Sequence, residues 1–227
     1  MGIAIVTGAS RGLGLALARG LADDGWGLVI DGRGRPALAA AEEELAAITK
    51  VRAVPGDVAH ERHRLDLVEA AEELGGADVL VNNAGILGPS PQPPLARYPI
   101  DVLRQVFEVN LLAPLRLAQL ALPQLEAHAG IIVNVTSDAG AEAYAGWGGY
   151  GAAKAALDQI SAVLAVEHPN LRVYALDPGD MRTTMHQAAF PSEDISDRPL
   201  PEESVPGILR LLWKRPPSGR YLARDVA

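Results

Sequence analysis

The sequence contains no cysteine, and this absence excludes several classes of function at once. A chain without thiols has no disulfide scaffold, no thiolate zinc site, no iron–sulfur cluster and no cysteine nucleophile. Any catalysis must therefore use oxygen and nitrogen groups or an imported cofactor. His60 and His63 lack a third ligand nearby in the sequence, so we predict a solvated helix face there and no metal site.

Positive charge and long hydrophobic runs are also scarce. Lysine and arginine number 20 against 28 acidic residues, a net charge of −8, which argues against a nucleic-acid-binding surface. The longest uncharged stretch, residues 79–96, contains two asparagines and four prolines and is unsuited to a membrane-spanning helix. No basic and apolar leader precedes the first motif. We predict a cytoplasmic protein with neither a nucleic acid nor a membrane as partner.

A hydrophobic content of 48% in 227 residues suits one α/β domain spanning residues 1–227. Short apolar runs alternate with amphipathic stretches, which is typical of a Rossmann-type, doubly wound parallel sheet with helices on both faces. Strands are predicted at residues 3–7, 27–31, 51–55, 79–82, 131–136, 171–176 and near 221. Helices are predicted at residues 12–24, 36–48, 61–74, 101–127, 149–167 and 202–213. The polar region 184–201 lies where a substrate lid would be.

A glycine-rich turn, T-G-A-S-R-G-L-G at residues 7–14, follows the first predicted strand and opens an apolar helix. Its three glycines let backbone N–H groups and the helix N-terminus approach a pyrophosphate. A plain turn between strand and helix is the simpler alternative. The turn also matches the G-x-S-x-G elbow of serine hydrolases through Ser10. That fold, however, builds its oxyanion hole from an earlier strand, and none precedes this turn.

A second motif combines a hydroxyl, a phenol and an ammonium group. Ser137 ends the fifth predicted strand, at the sheet edge where open α/β folds bind ligands. Tyr150 and Lys154 lie four positions apart at the head of the next helix and share one of its faces. The ammonium charge is expected to lower the tyrosine pKa from its reference value near ~10, as acid–base catalysis near neutral pH requires. The alternative is an ordinary exposed Tyr/Lys pair.

Together with further motifs, these residues form an ordered set that resembles the classical short-chain dehydrogenase/reductase family from end to end. The set is Gly8-x-x-x-Gly12-x-Gly14, Asp57-Val58, Asn82-Asn83-Ala84-Gly85, Asn110, Ser137, Tyr150-x-x-x-Lys154, Pro178-Gly179-x-Met181-x-Thr183 and a last strand at 218–222. Each motif is weak alone, and their order makes the resemblance specific.

The resemblance implies hydride transfer between a nicotinamide cofactor and a carbonyl or secondary alcohol substrate. It implies Tyr150 as the general acid/base and Lys154 as the residue that lowers its pKa and holds the nicotinamide ribose. Ser137 would orient the carbonyl, and Asn110 would support a water-linked proton relay through a kinked helix. The implied cofactor-binding residues, besides Tyr150 and Lys154, are Gly8, Ser10, Arg11, Gly12, Leu13, Gly14, Arg33, Asp57, Val58, Asn83, Ala84, Gly85, Pro178, Gly179, Met181 and Thr183.

The choice between NAD(H) and NADP(H) depends on the end of the second predicted strand. Asp31 would accept a hydrogen bond from a free 2′-hydroxyl and repel a 2′-phosphate, whereas Arg33 would pair with the phosphate. Alignment from Thr7 places the position that is acidic in NAD-dependent members on Gly32. Since Arg11 adds a second cation, we predict NADP(H), with NAD(H) as the alternative if Asp31 points at the ribose.

Substrate contacts are predicted from position alone. Trp147 borders the site or simply packs as a large aromatic, and Met185 and Phe190 fall within the lid region. Asp138, directly after Ser137, is predicted to bond nearby backbone N–H groups as a turn residue.

Two other functions compete with a reductase, namely a dinucleotide-binding sensor without catalysis and a hydrolase using Ser10. The sensor would not need the proton-transfer groups. The expected partner of the reductase is a small-molecule carbonyl or alcohol substrate. The resemblance also implies a homodimer or homotetramer.

Overall fold

The computed structural model describes residues 1–226, and within them a single seven-stranded sheet has all of its strands parallel. The strands are β1 Ile3–Val6, β2 Gly27–Gly32, β3 Val51–Pro55, β4 Val79–Asn82, β5 Ile131–Val135, β6 Arg172–Asp177 and β7 Gly219–Leu222. They lie in the order β3-β2-β1-β4-β5-β6-β7. The order reverses between β1 and β4, which opens a crevice at the carboxyl ends of the strands. The predicted fold class is confirmed.

Helices connect the strands on both faces of the sheet. Among the described residues they are α1 Gly12–Asp23, α2 Arg35–Ala46, α3 Glu61–Leu74, α4 Ile100–Phe107, α5 Ala113–Ala127, α6 Gly148–Glu167, α7 Thr184–Ala189 and α8 Val205–Lys214. In β1, Ala4 and Val6 pack with α1, α2 and α8, whereas Ile3 and Ile5 pack with α3 and α5. Burial on both faces explains why the strands are continuous apolar runs.

One long predicted helix is in fact three segments. Residues 101–127 were expected to form a single helix, but a π-helical turn at Glu108–Leu112 separates α4 from α5. The Asn110 side chain lies in this turn and bonds the backbone of Ile86 rather than facing solvent. The predicted lid region 184–201 contains α7, which the sequence did not indicate.

A buried polar chain connects the central strands to α6. Asn82 Nδ2 donates to Asn134 Oδ1 over 2.8 Å, and Asn134 Nδ2 donates to Ser161 Oγ over 2.8 Å. The Ser161 hydroxyl in turn donates to the Leu157 carbonyl. All three polar side chains are at most 3% exposed, so their hydrogen bonds must be made within the protein, with one another and with nearby backbone carbonyls.

Replacing Asn134 with alanine is expected to destabilise the fold by about 1–3 kcal/mol, because Asn82 Nδ2 keeps only the 3.4 Å contact with the Pro114 carbonyl and Ser161 Oγ loses its donor in a buried site. Urea unfolding followed by circular dichroism would measure the change. Gln159→Ala, at an exposed position of α6, is the control. A shift no larger than that of the control would contradict the prediction.

Candidate active site

The glycine turn after β1 leaves the N-terminus of α1 accessible. Gly8 and Gly12 have φ values of 67° and 57°, in the left-handed region that favours glycine. Helix α1 begins at Gly12, and Arg11 at its N-cap makes no side-chain capping hydrogen bond. The first N–H groups of the helix therefore have no capping side chain and can bind an anion such as a pyrophosphate.

The segment after β4 fixes the glycine turn in place. Thr7 Oγ1 accepts hydrogen bonds from the backbone N–H groups of Asn83 and Ala84, each over 3.0 Å. Asn83 Nδ2 donates to the Thr7 carbonyl over 2.7 Å. Ala84 also lies 3.0 Å from where a Cβ on Gly8 would stand. The predicted cofactor residues of these two motifs therefore lie together at the point where strand order reverses.

The end of β2 separates Asp31 from Arg33. Asp31 is 1% exposed: its Oδ1 accepts from Gly8 N over 2.5 Å, and its Oδ2 lies 2.8 Å from His63 Nε2. Arg33 has a side chain that is 62% exposed, with Nη1 3.9 Å from Asp57 Oδ2. Gly32 packs against Ser10, whose Oγ lies 2.8 Å from where a Gly32 Cβ would stand. The carboxylate is thus occupied internally, and the guanidinium faces outward.

The histidine pair differs from the prediction of a solvated helix face. His60 is exposed, but His63 is 6% exposed and bound to Asp31. A buried carboxylate requires a polar partner, and α3 supplies it from across the sheet face. Among residues 1–226, no three histidine or acidic side chains are grouped so as to hold a metal ion.

Ser137, Tyr150 and Lys154 come together because glycines allow a close approach between two segments. A Cβ on Gly151 would lie 2.5 Å from the Ala139 carbonyl oxygen, so α6 packs directly on the 3₁₀ turn that follows Ser137. Lys154 Nζ donates to the Val135 carbonyl over 2.7 Å and lies 5.6 Å from the centroid of the Tyr150 ring. Both side chains are buried. The exposed-pair alternative is thereby wrong.

The electrostatics of this pair differ from the sequence-based expectation. Burial raises the pKa of Tyr150, and the carboxylates of Asp177 and Asp138 raise it further. Burial lowers the pKa of Lys154 to about 8, against the opposing effect of the Asp158 carboxylate. The expected lowering of the tyrosine pKa is not found, because desolvation and two nearby anions disfavour the phenolate.

Asp138 behaves as the predicted turn residue and also contacts Ser137. Its Oδ1 accepts from the Ala139 N–H over 2.8 Å and from the Ser137 hydroxyl over 2.8 Å. Tyr144 donates its hydroxyl to Oδ2 over 3.1 Å. Because a serine has only one hydroxyl proton, Ser137 must release Asp138 before it can donate to a substrate oxygen.

Asn110 stabilises the segment that runs from β4 toward the site. Its Oδ1 accepts from the Ile86 N–H and its Nδ2 donates to the Ile86 carbonyl, each over 2.8 Å, and the residue is fully buried. The π-helical turn thus holds residues 85–86 in place. Gly85 packs against the same side chain, because a Cβ placed on Gly85 would lie 3.2 Å from Asn110 Oδ1.

The segment after β6 reaches from Ser137 to the glycine turn. Gly179 adopts a φ of 79°, and its N–H donates to Asp177 Oδ1 over 2.9 Å. Thr183 caps α7 by accepting from the His186 N–H over 3.1 Å, and its Cγ2 lies 3.8 Å from where a Gly12 Cβ would stand. A cavity of about 150 Å³ opens beside Asp138, Asp177, Pro178, Gly179, Asp180, Leu222, Ala223 and Arg224.

An aromatic cluster borders Tyr150 on the side that faces α7. The Trp147 ring lies 5.9 Å from the Tyr150 ring in an edge-on arrangement and 5.8 Å from the Phe190 ring. Met185, also predicted to contact substrate, is on α7 and 37% exposed. The structure therefore brings Trp147 against the tyrosine, and Phe190 packs on the Trp147 ring.

Arg220 is the site residue that the sequence analysis missed. Its guanidinium donates to Asp158 Oδ2 over 3.2 Å, to the Ser137 carbonyl over 3.1 Å and to Asp177 Oδ2 over 3.0 Å. It therefore links β7 to the strand, helix and loop that carry the predicted catalytic residues. The one signal in the sequence is an arginine inside the last strand.

Comparison with known proteins gives the family. A family model described as short chain dehydrogenase matches residues 2–194. The chain is 34% identical over 186 residues to the L-fucose dehydrogenase of Mus musculus, covering 81% of this chain and 66% of the mouse protein, slightly under two thirds of its length. It is 35% identical over 240 residues to the rhamnolipids biosynthesis 3-oxoacyl-(acyl-carrier-protein) reductase of Pseudomonas aeruginosa, covering 99% of this chain and 88% of that protein.

A solved structure adds a similarity at the level of the fold. The alcohol dehydrogenase of the archaeon Thermococcus sibiricus, complexed with 5-hydroxy-NADP, superposes with a TM-score of 0.86 at 29% identity, over 98% of this chain and 95% of that one. Within residues 1–226 no helix is long and apolar enough to cross a membrane. The chain belongs to the short-chain dehydrogenase family, whose members are oxidoreductases that act on alcohol or carbonyl groups with a nicotinamide cofactor.

Proposed function

We propose that this protein is an NADP(H)-dependent oxidoreductase that transfers a hydride between the nicotinamide and a carbonyl or secondary alcohol of a small molecule. The observation that supports it most is the placement of Ser137, Tyr150 and Lys154 at the same sheet edge as the glycine turn. A dinucleotide sensor would not require a buried tyrosine and lysine there. Membership of the short-chain dehydrogenase family argues against the hydrolase alternative, and in this proposal Ser10 belongs to the cofactor-binding turn.

The residues present fit a dinucleotide. The uncapped start of α1 suits a pyrophosphate. Asp57, Val58 and residues 83–85 follow the carboxyl ends of β3 and β4, and in this proposal they bind the adenosine. Residues 178–183 close the opposite side near Gly12. When bound, the cofactor supplies or accepts the hydride.

The protein's own contribution is proton transfer and orientation. The raised pKa of Tyr150 keeps its hydroxyl protonated, so the resting site is ready to donate a proton to the oxygen of a reduced carbonyl. Lys154, fixed by the Val135 carbonyl, places positive charge beside that phenol. Ser137 orients the substrate oxygen once its hydroxyl turns away from Asp138. Asn110 holds the segment at Ile86 so that a water-linked proton path can form beside it.

A panel of carbonyl compounds, each tested with NADPH and NADH by nicotinamide absorbance, tests the proposal. Turnover with NADPH supports it. Tight binding of NADPH without turnover of any aldehyde or ketone in the panel would instead favour the sensor.

NADP(H) is preferred because the cation at the end of β2 is exposed, with only a long 3.9 Å ion pair to Asp57, whereas the anion is buried and hydrogen-bonded. Both Asp31 oxygens are engaged with Gly8 and His63, and Gly32 offers no carboxylate. Arg33 faces outward, and Arg11 is exposed in the glycine turn.

Arg33→Ala is expected to weaken NADPH binding about 10–100-fold and to leave NADH binding unchanged, since a charge-assisted phosphate contact contributes about 1.5–3 kcal/mol. Titration of nicotinamide fluorescence would measure both dissociation constants. Arg35→Ala, at an exposed arginine two positions away, is the matched control. Equal losses for the two dinucleotides would contradict the assignment of the phosphate contact.

The pH dependence of carbonyl reduction should follow Lys154. Its pKa of about 8 means that the ammonium is charged below that pH and neutral above it, while Tyr150 stays protonated. We expect kcat/KM to fall as the pH rises through about 8, measured from about pH 6 to about pH 10. A rate that stays flat across this range would show that the lysine charge is not needed.

We further propose a cytoplasmic homodimer or homotetramer with residues 184–201 as its substrate lid. Val163 and Val166 on α6 are exposed apolar side chains, and a partner helix would cover them. Light scattering tests the assembly, and a monomer at micromolar concentration would contradict it.

A further inference from the structure

A buried acid and a buried histidine lie directly beneath the glycine turn. Asp31, on β2, and His63, on α3, are 1% and 6% exposed, and Asp31 Oδ2 lies 2.8 Å from His63 Nε2. An ionised carboxylate only accepts hydrogen bonds, so His63 Nε2 is the donor. This pair has no part in the proton transfer proposed above.

The other oxygen of Asp31 contacts the cofactor turn itself. Oδ1 accepts from Gly8 N over 2.5 Å, and the Asp31 carbonyl accepts from Ala9 N over 3.0 Å. Gly8 is one of the residues with positive φ that shape the turn. The carboxylate therefore holds the turn, and His63 holds the carboxylate.

The glycine at position 56 provides the space that the His63 imidazole occupies. A Cβ on Gly56 would lie 2.6 Å from His63 Cγ and 2.7 Å from its Cε1, so a side chain at position 56 would push the imidazole away. Gly56 itself is fixed by donating to the Gly32 carbonyl over 3.2 Å. The imidazole is thus enclosed between α3 and the chain that follows β3.

The negative charge of Asp31 is unfavourable beneath a phosphate-binding turn, and the hydrogen bond from His63 reduces this effect. A carboxylate beneath a turn that binds phosphates repels them, and burial weakens the screening of that repulsion by solvent. A carboxylate at the end of β2 that pointed outward would also accept a hydrogen bond from a free ribose 2′-hydroxyl. With its second oxygen bound by His63, the carboxylate is turned inward and its charge is stabilised by the hydrogen bond.

We propose that His63 is a positioning residue for cofactor choice: it holds the Asp31 carboxylate inward beneath the glycine turn, so that a dinucleotide carrying a 2′-phosphate is accepted. This inference rests on the proposed use of NADP(H). It identifies the second strand's acidic residue as part of an NADP(H) site rather than as a ribose ligand.

The test measures binding, independently of turnover, by titrating nicotinamide fluorescence with NADPH and with NADH. We expect His63→Ala to weaken NADPH binding about tenfold, and NADH binding less, because the more anionic ligand is repelled more by the released carboxylate. His60→Ala, at the exposed histidine next to α3, is the matched control and should change neither value. His63→Gln, whose amide can still donate, should keep most of the NADPH affinity.

A double variant separates this role from simple packing. Asp31→Asn removes the charge and keeps an acceptor for Gly8 N, so Asp31→Asn combined with His63→Ala should recover most of the NADPH affinity lost in His63→Ala. If His63→Ala does not fold, Asp31→Asn alone still tests the inference, because it should bind NADPH at least as tightly as the wild type.

Three outcomes would overturn the inference and leave the proposed function standing. Equal weakening of both dinucleotides without recovery in the double variant would show a structural role only. Unchanged NADPH binding in His63→Ala, or weakened NADPH binding in Asp31→Asn, would show that the carboxylate needs no restraint. In these cases the wild type still binds NADPH, so the proposed function survives. A wild-type protein that binds neither dinucleotide would overturn the proposed function together with the inference.

Discussion

Tyr150→Phe is expected to lower kcat for carbonyl reduction about 10²–10⁴-fold, the usual contribution of a positioned general acid. The substitution removes only the hydroxyl, and the ring can keep its contacts with Trp147. Dissociation constants for NADPH should therefore stay close to the wild-type value. Steady-state kinetics on a turned-over carbonyl compound and a fluorescence titration would measure the two effects.

Tyr144→Phe is the matched control for this prediction. Tyr144 is an exposed tyrosine that bonds Asp138 and Glu142, and it lies on the same loop before α6. Its hydroxyl is not needed for proton donation, so turnover should change little. Full activity in Tyr150→Phe, or an equal loss in both variants, would remove the tyrosine from the proposed mechanism.

Gly14→Ala is expected to abolish measurable dinucleotide binding and to destabilise the fold by about 1–3 kcal/mol, as overpacking does. An added Cβ would lie 2.6 Å from Asn83 Nδ2 and 2.9 Å from the Gly8 carbonyl carbon. The second of these is backbone and cannot rotate away. The turn must therefore open, and the N–H groups at the start of α1 would no longer converge on a phosphate.

Gly34→Ala provides the control, because nothing lies within 4 Å of a Cβ placed there and its φ of −83° suits any residue. Thermal unfolding and NADPH titration would be compared for the two variants. NADPH binding in Gly14→Ala as tight as in Gly34→Ala would mean that the turn does not hold the pyrophosphate.

Much of the fold was predictable because its strands are buried on both faces and therefore appear as continuous apolar runs. The break between α4 and α5 did not follow from the apolar pattern, which continues through it, and only the family resemblance implied a kink at Asn110. The burial of His63 was missed for a similar reason. Its neighbours Glu61 and Arg62 are charged, and its partner Asp31 lies far away in the sequence, on β2.

The candidate site was predictable where its geometry is local. The four-residue spacing of Tyr150 and Lys154 gives their shared helix face directly. The raised tyrosine pKa was not predictable, because it arises from burial and from Asp177 and Asp138, which only the folded chain brings near the ring. Arg220 was missed because its three partners are spread over positions 137 to 177.

The contacts of Arg220 also have a practical consequence for protein engineering. Since β7 is an edge strand that holds the Ser137 carbonyl and Asp177 through one guanidinium, a bulky fusion partner attached just after this strand is expected to displace the candidate active site. A purification tag or reporter domain placed there needs a long flexible spacer. Attachment of the protein to a solid support through β7 would otherwise disturb the residues that line the cavity beside Asp177.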